Sequence, residues 1–113
     1  MDAAEFFSAA RFYKFVRKQD GKLTSFWDKH FDYVVGETAK AKGELGVWSS
    51  SGKLYFNEKS AIKSSTYYGE KDAVLIEVSI HKEDFIDAQD GRVLAKACQV
   101  IREVPTDEWK TYI

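Results

Sequence analysis

The clearest periodicity in the chain runs from Ala73 to His81, where Val74, Ile76, Val78 and Ile80 alternate with Leu75, Glu77, Ser79 and His81. A repeat of two places one set on each side of a β-strand, and a fully apolar set opposite a mixed one predicts a sheet packed on one side only. A second alternating run, Phe12–Arg17, predicts another strand. The Asp20-Gly21 step after it predicts a tight turn, with Leu23–Trp27 pairing back as a hairpin. Phe31–Val35 reads as a short strand ending at Gly36, and Glu37–Glu44 as a polar, mobile loop. Val47-Trp48-Ser49 and Leu54-Tyr55-Phe56 are short extended pieces around a Ser50–Lys53 turn.

Helix signals lie elsewhere. Asn57 suits an N-cap, Glu58 the first turn and Gly69 the far end, so the spacing predicts a main helix over about 57–68 with Ala61, Ile62 and Ser65 facing inward. Asp2 would cap a short helix reaching Arg11, and Thr106 a terminal turn from Asp107 to Tyr112. Residues 92–104 fit either period. The Asp90-Gly91 turn before them and Pro105 after them favour a strand. The expected class is α+β: a mostly antiparallel sheet of five or six strands, one main helix and short terminal helices. The length of 113 residues predicts one domain over 1–113.

Composition narrows the function. Aromatic residues make up 15% of the chain, more than a plain core needs, so some rings are expected on a contact surface. Lys and Arg total 17 against 18 for Asp and Glu, which argues against a protein built mainly to neutralise phosphates. A lone cysteine, Cys98, and an acidic opening unlike a signal peptide point to a cytoplasmic protein.

Chemistry-bearing motifs are thin. His30, His81 and Cys98 stand apart from one another, without the close pairing of a zinc site, so no metal or cofactor is expected. Cys98 lies in an apolar run, where a buried, inert thiol is the plainer reading than a nucleophile. Glu83-Asp84 and Asp87–Asp90 read as solvated turns, and no glycine-rich phosphate loop is present. The residues therefore lean towards a non-catalytic protein. The candidate partner-binding face is aromatic: Trp27, His30, Phe31 and Tyr33 in one segment, with Trp48 and Tyr55 around the serine turn. Arg11, Lys14, Arg17, Lys18 and Lys22, interleaved with rings, offer a weaker single-stranded nucleic-acid reading. An unpaired edge such as the 92–104 strand could mediate a two-fold dimer.

The order Tyr13-Lys14-x-Val16, Tyr33-x-x-Gly36, Gly46-Val47-Trp48, Ala61, Ile76–Ile80 and Val93–Ala97 resembles a group of small, mostly phage-encoded proteins and domains of unassigned function. That resemblance implies a small module that docks on a macromolecule, with inhibition of a bacterial defence system, of the anti-CRISPR type, as a natural role. The same order also resembles the ADP-ribosyltransferase group. That likeness implies an NAD pocket with Tyr13-Lys14, Ser49–Ser51 and Glu77 in the working positions, although Lys14 stands where that family has Arg or His. The leading expectation is a protein-binding module. An ADP-ribosyltransferase-like or degenerate nucleotide binder is the alternative.

Overall fold

The computed structural model describes residues 2, 5–6, 9–26, 31–41, 53–65 and 68–112. Among them, nine strands form one antiparallel sheet: β1 (Phe12–Gln19), β2 (Lys22–Thr24), β3 (Asp32–Tyr33), β4 (Thr38–Lys40), β5 (Leu54–Asn57), β6 (Ala73–Ser79), β7 (Phe85–Gln89), β8 (Arg92–Ala95) and β9 (Ala97–Val104). Their order is β4-β9-β6-β1-β5-β8-β7, with β2 on the far half of β1 and β3 beyond it. β8 and β9 are one long run bent at Lys96, so a single stretch of chain serves both ends of the sheet and curls it around a core. The Lys96 carbonyl accepts from Ala41 N–H and the Lys96 N–H donates to the Asp84 carbonyl, both at 2.8 Å.

Both Asp-Gly turns form where the sequence places them. Asp20 and Gly21 have φ of 53° and 78°, and Gln19 pairs with Lys22. Positive φ at both positions matches the twist of the flanking strands. Asp90 and Gly91 repeat the arrangement between β7 and β8. Gly91 is constrained twice: its φ is 80°, and a Cβ there would sit 2.7 Å from the Cβ of Ala61.

The larger core lies inside the curl. It joins Phe12, Val16, Tyr33, Phe56, Ile76, Val78, Ile80, Val93, Cys98 and Val100 with smaller neighbours. A second, smaller core covers the outer side of β1 and β6, where Tyr13, Phe15, Ile62, Leu75 and Val104 pack beneath Trp109 and Tyr112. Phe15, Tyr68 and Trp109 meet edge to face at 5.3–6.0 Å. This corrects the expectation of a one-sided sheet: Leu75, on the mixed face of β6, is 0% exposed.

The fold class is corrected as well. The chain is mostly β, with more strands than the five or six expected and no main helix over 57–68 among the described residues. Asn57 is the last residue of β5, paired with both Tyr13 and Arg92, and so cannot cap a helix. The chain then enters a 3-10 helix, Lys59–Ser64, preceded by Glu58 without a side-chain cap. One apolar side chain there, Ile62, is fully buried, too little to hold a longer helix to the sheet. The C-terminal α-helix α1 (Thr106–Trp109) is a single turn that runs into a 3-10 turn, Lys110–Tyr112. Of the stretch expected to be a mobile loop, Thr38–Lys40 instead pairs with β9 as β4. At the N-terminus, the Asp2 carboxylate accepts from Glu5 N–H at 2.8 Å.

Candidate contact face and interior charges

The outward face of the β5–β8–β7 ribbon carries an open groove of about 420 Å³, lined by Tyr55, Asn57, Asp87, Arg92, Leu94 and their neighbours. Strand register builds it. Tyr55, Leu94 and Asp87 lie opposite one another in one row, and Asn57, Arg92 and Gln89 in the next. Tyr55 is 40% exposed, so its ring is available to a partner. The end of the groove is fixed, because Glu58 N–H donates to the Gly91 carbonyl at 2.8 Å and Gly91 abuts Ala61. Among the described residues, Asp87, Asp90 and Arg92 form no ion pair with one another or elsewhere. The groove thus sets an aromatic and an aliphatic side chain, Tyr55 and Leu94, among the charged and amide groups of Asp87, Asp90, Arg92, Asn57 and Gln89. On β7, which no other described strand joins on its far side, the Asp87 carboxylate accepts from Ala88 N–H at 2.8 Å, and the β7–β8 register slips between Phe85 and Asp87.

The other aromatic candidates are distributed differently. Phe31 and Tyr33 are 8% and 2% exposed, with ring centroids 5.1 Å apart inside the larger core. Trp27, His30 and Trp48 lie outside the described residues, as do Ser49–Ser51. Of the predicted set, Tyr55 is the member placed on a described surface. Sequence reasoning passes over Arg92 and Leu94 and reads Asp87 as part of a solvated turn, whereas it lies in β7; the signal available is register, since an Asp-Gly turn sets Arg92 opposite Gln89.

The five cations considered for nucleic acid do not share a face. Arg11 pairs with Glu77 at 3.8 Å and Lys18 with Glu103 at 3.1 Å. Arg17 stacks over Phe26, Lys22 is exposed, and Lys14 turns into the curl of the sheet. The Lys14 ammonium donates to the Tyr55 carbonyl at 2.8 Å and stands 5.5 Å from the Phe56 ring centroid and 5.9 Å from that of Tyr33. Loss of water around it pulls its pKa down to about 8, while the neighbouring Cys98 thiol opposes that shift. Burial pushes Cys98 up to about 12, so at neutral pH it is a thiol rather than a nucleophilic thiolate. Burial also raises Tyr33.

On the outer side, Glu77 collects Arg102 at 3.2 Å and the Tyr13 hydroxyl at 3.4 Å. Arg102 also grips Glu108 through both nitrogens, at 2.6 and 2.9 Å, which ties the C-terminal turn to β9. That hydrogen bond holds the Glu108 carboxyl below its ordinary value. Tyr13 is raised to about 12, first by burial and then by the Glu77 charge. Among the described residues, no group of three or more His, Cys, Asp and Glu side chains could hold a metal ion, and no helix is long and apolar enough to cross a membrane.

The 92–104 segment is a strand, as its flanking turn and proline imply, but it is not an edge. β8 lies between β5 and β7, and β9 between β4 and β6. The dimer rationale resting on that edge is therefore corrected. The expected ADP-ribosyltransferase likeness is likewise not supported. Tyr13 and Lys14 point to opposite sides of β1, and Glu77 is held on the Tyr13 side by Arg102.

No protein-family model matches the chain, and no solved structure matches it. The whole chain is 65% identical, over 113 residues, to a protein of Bacillus phage SPbetaL7 named Gabija anti-defense 2. The expected similarity to phage-encoded proteins is thus borne out. The chain spans 28% of that relative's length.

Proposed function

We propose that this chain is a domain of a phage anti-defence protein and acts by binding a protein component of the Gabija defence system. The observation that carries the reading is the 65% identity along the entire chain to a phage protein bearing that name. The ribbon groove supports it, with Tyr55 as a rigid aromatic anchor on a scaffold of paired strands. Trp27, His30 and Trp48 are further contact candidates on the strength of residue type.

The test uses the chain and the full-length phage relative side by side. Each is immobilised and offered the purified Gabija proteins, and each is expressed in Gabija-carrying bacteria that are then challenged with phage. Retention of a Gabija protein on the chain, lost on Tyr55→Ala with the melting temperature unchanged, is the expected result. Retention by the relative but not by the chain would place the contact in the rest of that longer protein and overturn the reading for this domain.

A further inference from the structure

The two edges of β1 are unequal. Towards β6 the ladder is long, with register pairs from Phe12–Val78 to Arg17–Ala73. Towards β5, among the described residues, it consists of one pair, Tyr13 with Asn57. Further along the same edge, β2 takes over only at Arg17. Between these points β5 diverges from β1, and the gap is crossed by a side chain: Lys14 donates to the carbonyl of Tyr55 at 2.8 Å. Its stem lies on the core side of β1 with Phe12 and Val16, and its amine faces the Phe56 and Tyr33 rings.

We propose that the β1–β5 seam is where this fold opens and that Lys14 is the latch across it. Opening there parts the β5–β8–β7 ribbon from β1 while leaving β1–β6–β9 paired. The bend at Lys96 is the natural pivot, because it is the point at which the continuous β8–β9 run passes from one body to the other. Phe56 is wholly buried, so the opening is a cooperative excursion rather than fraying of an end. The groups facing the latch leave it without a carboxylate among the described residues. β5 presents the Tyr55 carbonyl and the Phe56 ring, β3 presents Tyr33, β9 presents Cys98, and β6 presents Ile76 in register. A hydrogen bond from one flexible side chain replaces ladder bonds between strands, and it is the weaker fastening.

Native-state hydrogen exchange, resolved amide by amide, tests this. In the unaltered protein, the Tyr55 and Asn57 amides on the β1-facing edge should exchange at least about tenfold faster than those of Ile76 and Val78. Lys14→Met keeps the stem and removes the donor. It should speed Tyr55 and Asn57 several-fold further without speeding Ile76, and Lys14→Arg should restore the slower rate. Equal protection of β5 and β6 in the unaltered protein would overturn the proposal, and that comparison decides the matter alone if the methionine variant does not fold. A methionine variant that moves both strands equally, or neither, would overturn the role of Lys14.

Discussion

The β1–β6–β9 centre and the β5–β8–β7 ribbon are made of the same antiparallel pairing, yet they are built for different things. The centre is covered on both faces. Ile76 and Val78 look into the larger core, while Leu75 and Phe15 are capped by Ile62, Trp109 and Tyr112. Among the described residues the ribbon is covered on one face only, with Phe56, Val93 and Ala95 inside and Tyr55, Leu94 and Arg92 outside. Two-sided burial brings stability but leaves nothing to present. One-sided burial leaves a surface that stays in place because its other side is packed. Burial on two sides and burial on one side thus coexist within one continuous hydrogen-bonded sheet.

Substitutions should split along that line, and the largest effect belongs to the centre. Phe15→Ala empties the space between Tyr68 and Trp109 and should cost about 3–5 kcal/mol in denaturant titration. A loss under about 1 kcal/mol would mean that the outer core is dispensable and that the contrast with the ribbon is false. Gly91→Ala should cost about 2 kcal/mol, since it strains a left-handed position and drives a methyl into Ala61. Because the turn ends the groove, the same change should weaken partner retention. Intact retention would show that the groove tolerates a displaced turn.

Stability should also depend on pH through Lys14, Cys98 and Tyr13. Below pH 8 Lys14 is charged in both folded and unfolded chains, and the cost of holding that charge inside is fully present. Between about 8 and the ordinary 10.5 the folded protein releases a proton that the unfolded chain keeps, so stability rises with pH. Cys98 acts in the opposite sense. From its ordinary 9.0 up to about 12 the unfolded chain ionises first, and stability falls. Tyr13, ordinarily 10.0 and here about 12, adds to that fall. Stability should therefore climb from pH 8 to a maximum near pH 9 and then decline, and Lys14→Met should erase the climb. A flat profile between pH 7 and 9 in the unaltered protein would mean that the amine is well hydrated.

The smallest stability effect is expected at the contact face. Tyr55→Ala should change unfolding free energy by no more than about 0.5 kcal/mol, as exposed positions do, while abolishing retention of a Gabija protein. A large loss of stability there would erase the distinction between the two regions.

Parts of this architecture are legible in the amino acids alone. The alternation of Val74, Ile76, Val78 and Ile80 names the central strand, and two Asp-Gly steps name two hairpins. The ribbon is harder to read because each of its signals has two meanings. Asn57, Glu58 and Gly69 resemble helix punctuation, but β8 and β1 both claim Asn57 first, and tertiary pairing overrides local preference. Thr38-Ala39-Lys40 and Asp87-Ala88-Gln89 lack alternating apolar residues, since strands at the ends of a sheet bury little. Lys14 is readable in part: it falls between Phe12 and Val16 on an inward period of two, and a cation at such a position signals an unusual interior. Of the candidate site, residue type picks out exposed Tyr55, but it cannot separate that ring from buried Phe31 and Tyr33.

The hydrogen bond between the Asp87 carboxylate and the Ala88 N–H has a consequence beyond the groove. A terminal strand with evenly spaced, vacant N–H groups is a template onto which another molecule can add, and then another. Here one of those groups is already occupied and the spacing is broken where the register slips beside Phe85. On this strand, then, the row of backbone donors that a further strand would need is interrupted in two places.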